Sequence, residues 1–199
     1  MEPNSQLLDA VRLLSKEAAL SDLSEGATTE VVAAIEQVRA LLNPIRARLP
    51  RKRFEAPQEA RKIEGGPWVA GDFNPVVPQL PLEFSENEVT CTWTAGPLDE
   101  GPPGFLHGGL SAYILDVLSG VLVQSLGLRA VTGTLNLRYH RAVPLDEQLF
   151  MNARVERMDG RKVFVKGEIA FQGKSAIESD GLFIELLPDS HLTASALKR

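Results

Sequence analysis

The chain has 199 residues, 44% hydrophobic and 24% charged, with 21 basic and 26 acidic side chains and a net charge of −5. That is the composition of a globular domain with an extension, long enough to bury a core unaided. The acidic balance argues against nucleic acid as the general partner. A single cysteine, Cys91, excludes an internal disulfide and fits a reducing compartment. The start MEPNSQ lacks a basic, apolar leader and no apolar stretch is flanked like a membrane span, so a cytoplasmic location without a membrane partner is expected.

Leu7, Val11, Leu14 and Ala18 recur at helical spacing and predict a helix over 5–20. Ser21 to Thr28 reads as a loop. Val31, Ile35, Val38, Leu42, Ile45 and Leu49 then form a heptad-like seam, restarted at Asn43 and Pro44 by an N-cap and a proline in the first turn. Such a seam packs against something, a helical hairpin on its own domain being the simplest arrangement and a partner or a ligand lid the alternatives. With five basic and seven acidic residues over 1–50, the segment lacks the basic stripe that DNA binding favours. The run Arg51, Lys52, Arg53 is a solvated linker or a phosphate contact. This sets a helical extension over 1–55 ahead of a second domain over 56–199.

Residues 56–82 are rich in proline and glycine and predict a long loop with short extended pieces, Trp68 and Phe73 either tying it down or lining a pocket. One or two strands follow over 83–95, with a turn at 85–87. Then comes GPPGFLHGGLSAYILDVLSGVLVQSL over 101–126, a rigid turn delivering His107, Gly108 and Gly109 into a helix apolar on nearly every side. Asp116 is the only formal charge between His107 and Arg129. A carboxylate in such a helix is expected to be buried and needs a partner or a task.

Bare amides at a helix N-terminus attract an anion or a developing oxyanion. Donors and a carboxylate on one helix look like two halves of an acyl-transfer site, a core Asp satisfied by a nearby N–H or Arg being the alternative, yet Gly108 and Asp116 are separated by roughly 12 Å of helix rise. A second, antiparallel copy of the helix closes that gap, which predicts a composite site on a two-fold dimer axis.

Over 130–141 the period-two pattern sets Val131, Leu135, Leu137 and Tyr139 on one face and Thr132, Thr134, Asn136, Arg138 and His140 on the other. Strands over 147–157 and 162–171 join at Asp159-Gly160, the strongest hairpin signal in the chain, and a strand over 175–187 closes the sheet.

The string GPPGFLHGG, Asp116 nine positions after His107, VTGTLNLRYHRAVPL and VERMDGRKVFVKGEI together resemble the hotdog-fold acyl-CoA thioesterases, nearest to the PaaI-like and carboxyl-terminal modulator protein branch. The resemblance covers about 74–187 and implies an α+β hotdog fold: five or six antiparallel strands, in simple meander order, wrapped around one long helix. It implies hydrolysis of an acyl-CoA thioester, with Asp116 as general base or nucleophile and Gly108, with Gly109 beside it, polarising the carbonyl. Thr132 would orient water or carboxylate, and His107 would chiefly shape the turn. Arg138, His140, Arg161 and Lys162 would meet the CoA phosphates. Many relatives carry Asn or Gln six residues before the histidine, where this chain has Gly101, so one side-chain donor is missing. The expected partners are acyl-CoA and a second copy, with a dimer of dimers open. No cofactor or metal is expected, since no metal cluster, phosphate loop or redox motif occurs. A noncatalytic acyl-CoA-binding or regulatory hotdog is the main alternative, and a hotdog hydratase the lesser one.

Overall fold

The structure is a computed structural model that describes residues 3–42, 68–70 and 74–187. The Asn43–Pro44 cap, the 51–53 basic run, Phe73 and the side chain of Trp68 lie outside these residues. The chain divides into two compact units, one of residues 1–51 and 71–78, the other of 52–70 and 79–199.

In the first unit, α1 spans Pro3–Leu20 and α2 spans Glu25–Leu41. The loop is shorter than the sequence suggests. Ser24 takes an extended conformation and its hydroxyl accepts from the Ala27 N–H, so α2 starts three residues before Thr28, with Gly26 inside it. The apolar stripe is present but unburied: Leu7 is 40% exposed, Val11 37%, Val31 38% and Val38 53%. A stripe this narrow leaves much of each side chain open to water.

The second unit is an antiparallel sheet around one helix. Its strands are β1 (Trp68–Ala70), β2 (Leu80–Phe84), β3 (Glu88–Thr94), β4 (Ala130–Tyr139), β5 (Gln148–Asp159), β6 (Lys162–Phe171) and β7 (Lys174–Glu185), and the helix is α3 (Gly108–Ser125). The described sheet has seven strands, two short ones arising beside the proline-rich segment. Nor is it a meander. The order is β1-β2-β3-β5-β6-β7-β4, so β4, which follows the helix, crosses to the far edge and pairs with β7. That crossover is how an 18-residue helix can lie inside the curl of the sheet.

Ile114, Leu115, Leu118, Leu122 and Val123 of α3 are buried in one cluster with Val89, Cys91, Leu149, Met151, Val165, Ile169 and Phe183 of the sheet. A Cβ on Gly167 would lie 2.6 Å from Ser179 Oγ and 3.1 Å from Leu115 Cδ2. Only glycine lets the helix settle this close to β6. The tight hairpins are set locally: Gly160 has φ 55° between β5 and β6, and Gln172-Gly173, at φ 50° and 70°, form the two-residue turn between β6 and β7.

Candidate active site

Residues 97–107 build the entry to α3. A 3-10 turn over Pro97–Asp99 is held by the Asp99 carboxylate, whose Oδ2 accepts the Gly96 N–H at 2.7 Å. Burial raises the pKa of Asp99, and the Gly96 hydrogen bond opposes that rise. The chain then folds back, Gly101 N–H donating to Phe105 O and His107 N–H to Asp99 O, each at 2.9 Å. A Cβ on Gly101 would lie 2.7 Å from His107 Cα and 3.2 Å from His107 Cβ. The missing Asn or Gln side chain is thus a steric consequence, because the returning backbone fills its place.

His107 is the N-cap of α3, extended at φ −64° and ψ 128°. Its Nδ1 accepts the Gly109 N–H at 3.0 Å, which assigns the remaining ring proton to Nε2. Its carbonyl accepts the N–H groups of Leu110 and Ser111, both at 3.0 Å. Of the first four amides of the helix, the Gly108 N–H alone has no partner among the described residues. The helix dipole adds partial positive charge there. Gly109, anticipated as a second donor, is already committed to His107.

Asp116 lies two turns further on. Contrary to expectation it is half-buried in the single chain, as are Val117, Gly120 and Val121, while Tyr113 on the same face is 38% exposed. Among the described residues the helix is enclosed on one side only, because the sheet ends at β4. Burial, and secondarily the charge of Asp116, raise the pKa of Tyr113 and keep its phenol protonated.

Thr132 Oγ1 donates to Asp116 Oδ1 at 2.9 Å. Alternation places Thr132 with Thr134 and Arg138, away from the apolar face, and the structure corrects this. Thr132 pairs with Phe183 and Thr134 with Leu182, so Gly133 is an extra residue in the ladder. This β-bulge turns Thr132 to the side of buried Phe183, towards the helix, while Thr134 stays outside. Asp116 Oδ2 has no partner among the described residues and is open to a water or a carbonyl carbon.

The basic residues separate into two pairs on one chain. Arg138 is opposite Glu178 and His140 Nε2 lies 3.0 Å from Glu178 Oε2. Arg161 and Lys162 sit at the β5–β6 hairpin, Lys162 opposite Ile184. Six residues of β7 separate Glu178 from Ile184, about 20 Å at strand rise. All four are exposed. Sequence reasoning also overlooked Tyr139, whose hydroxyl donates to Gly108 O at 2.8 Å. Its one signal was a phenol at the end of an apolar strand face.

A family profile described as the thioesterase superfamily matches residues 103–173. Acyl-coenzyme A thioesterase THEM4 of Rattus norvegicus is 33% identical over 111 residues, 55% of this chain and 48% of that protein. The Xenopus laevis protein of the same name is 35% identical over 106 residues, 52% of this chain and 48% of its own. The chain thus spans about half the length of these relatives. A crystal structure of a thioesterase superfamily protein superposes with TM-score 0.72 at 28% identity, covering 91% of this chain and 90% of that one. A hypothetical thioesterase protein of Streptococcus pneumoniae, solved with coenzyme A, shares the fold, with TM-score 0.51 at 23% identity over 53% of this chain and 87% of its own. With a curled antiparallel sheet around one helix, and a thioesterase superfamily profile matching across α3 and β4–β6, the chain has the hotdog fold of these proteins and is similar to that superfamily through residues 103–173.

Proposed function

We propose that the chain hydrolyses an acyl-CoA thioester to a carboxylic acid and CoA, at a site completed by a second copy. The observation that carries this reading is the separation of two unsatisfied groups on α3. The free Gly108 N–H and the Thr132-bound carboxylate of Asp116 are roughly 12 Å apart along the helix and cannot serve one carbonyl. The names of the relatives, acyl-coenzyme A thioesterases, support the substrate class.

The second copy has a place to dock. β4 is ten residues long and, among the described residues, pairs on one side only, and the open face of α3 borders it. An unpaired edge of that length is a template for another strand. Two contacts fix where the helix lies over β4: Asp116 is at Thr132 and Gly108 is at Tyr139. Antiparallel pairing of two β4 strands, centred near Leu135 and Asn136, sets Thr132 against the partner subunit's Tyr139. The same rotation brings Asp116 to the partner subunit's Gly108. It also carries Arg138 and His140 towards the end of the partner's sheet that bears the hairpin cations, which gathers two separated pairs for the CoA phosphates.

In this arrangement the partner's free amide polarises the thioester carbonyl and stabilises the oxyanion. Asp116, aimed by Thr132, takes a proton from water as the water attacks the carbonyl carbon, or attacks that carbon itself to give an anhydride that water then cleaves. The C–S bond breaks and CoA leaves as the thiolate, which is protonated to the thiol. Thiol release from short, long and aromatic acyl-CoAs tests the reading. Turnover should fall at least about 100-fold in Asp116→Asn, and full turnover in that variant would overturn the mechanism.

A further inference from the structure

The two glycines that open α3 would be free to rock without support, and the support comes from two side chains outside the helix. Tyr139 Oη donates to Gly108 O at 2.8 Å. The N–H of the same peptide unit, that of Gly109, donates to His107 Nδ1 at 3.0 Å. One peptide is therefore clamped at both ends, in a continuous run from the Tyr139 hydroxyl through the 108–109 amide to the His107 imidazole. The Tyr139 ring also covers the bare Cα of Gly108, since a Cβ there would lie 3.6 Å from ring atom Cε1 and 3.7 Å from Oη.

We infer that Tyr139 is a positioning residue: by gripping the 108–109 peptide against His107 it fixes the direction of the neighbouring Gly108 N–H. Three observations converge on it. The free donor belongs to a glycine, whose backbone resists rotation least. The adjoining peptide is held from both sides, and hydrogen bonds in series strengthen one another. Finally, Tyr139 is 54% exposed in the single chain, so it is not a filler of its own subunit's core. A preorganised donor stabilises an oxyanion without reorganising during the reaction, whereas a loose one must first be ordered.

The inference rests on the proposed oxyanion role of Gly108, and its test reads the clamp and the reaction separately. Tyr139→Phe keeps the ring and removes only the donor. In two-dimensional NMR of the full chain the Gly109 amide proton should move upfield and exchange faster, with circular dichroism unchanged. In thiol-release assays kcat should fall about tenfold with KM within a factor of two. An unchanged Gly109 resonance overturns the clamp, whether or not the wild-type chain turns over acyl-CoA. A moved resonance with unchanged kcat in an active wild-type enzyme overturns the positioning role. A rise in KM alone would make Tyr139 a substrate contact and equally overturn it.

Discussion

Replacing Gly101 with asparagine would restore the side-chain donor that many relatives carry six residues before the histidine, and on chemical grounds alone it should raise the rate. The geometry predicts the opposite. The new Cβ would be 2.7 Å from His107 Cα, a backbone atom, where ordinary contact begins at 3.4 Å. The two passes of chain must therefore separate by about 0.7 Å, the difference of those distances. Two backbone hydrogen bonds, Gly101 N–H to Phe105 O and His107 N–H to Asp99 O, tie them together at 2.9 Å each. Losing or stretching these removes about 1 kcal/mol apiece. Overpacking adds about 1–3 kcal/mol. A net destabilisation of about 3–5 kcal/mol lowers Tm by roughly 10 °C in a domain of this size. His107 caps α3 from this same stretch of chain, so the Gly108 amide shifts and kcat falls as well. Differential scanning calorimetry and thiol release on Gly101→Asn read both effects. A Tm within 2 °C of the parent, together with a faster rate, would refute the steric argument.

Thr132→Val keeps the shape of the side chain and deletes the hydroxyl on Asp116 Oδ1; the expected loss in kcat is about tenfold, about 1.4 kcal/mol, with little change in Tm, and steady-state kinetics with calorimetry check it. Cys91 is buried, and burial with the nearby charge of Glu83 pushes its thiol up to about 12. It should resist a disulfide reagent at pH 8 until the chain unfolds, and prompt labelling of the native protein would contradict its placement. The linked effect on stability has a defined sign. An unfolded thiol ionises near 9.0 while the folded one stays protonated, so this group's contribution is intact below pH 9 and is lost between pH 9 and about 12. Denaturant titrations of Cys91→Ala against the parent across that range should show a shallower fall in the variant. A variant with Arg161 and Lys162 both replaced by glutamine should raise KM for acyl-CoA and leave kcat within a factor of two, whereas an unchanged KM would remove those cations from the phosphate site.

Much of this arrangement is legible in the sequence wherever the signal is local. The turn, the N-cap and the helix of the candidate site are contiguous, so the spacing of His107, Gly108 and Asp116 translates directly into positions on α3. The hairpin at Asp159-Gly160 follows from backbone preference at a single glycine. What alternation misassigned was Thr132, because one inserted glycine, Gly133, reverses the sidedness of everything before it without breaking the apolar pattern after it. The crossover of β4 to the far edge was equally invisible, since strand order depends on which neighbours bury the helix rather than on any residue within β4. That edge position in turn explains why Asp116 is only half-buried, where an all-apolar helix suggested full enclosure.

Subunit complementation tests the shared site most directly. Gly108→Pro removes the amide hydrogen at a site that accepts proline: it is the first helical position, His107 already has the extended backbone that must precede it, and a Cβ there would meet Tyr139 Cε1 at 3.6 Å, an ordinary contact. Asp116→Ala removes the carboxylate. Each variant alone should be inactive. After subunit exchange in an equal mixture, half of the dimers are mixed and each mixed dimer regains one intact site of two, so thiol release should recover to about a quarter of the wild-type rate. A mixture that exchanges subunits yet stays as inactive as its parents would show that Gly108 and Asp116 do not meet across the two-fold axis.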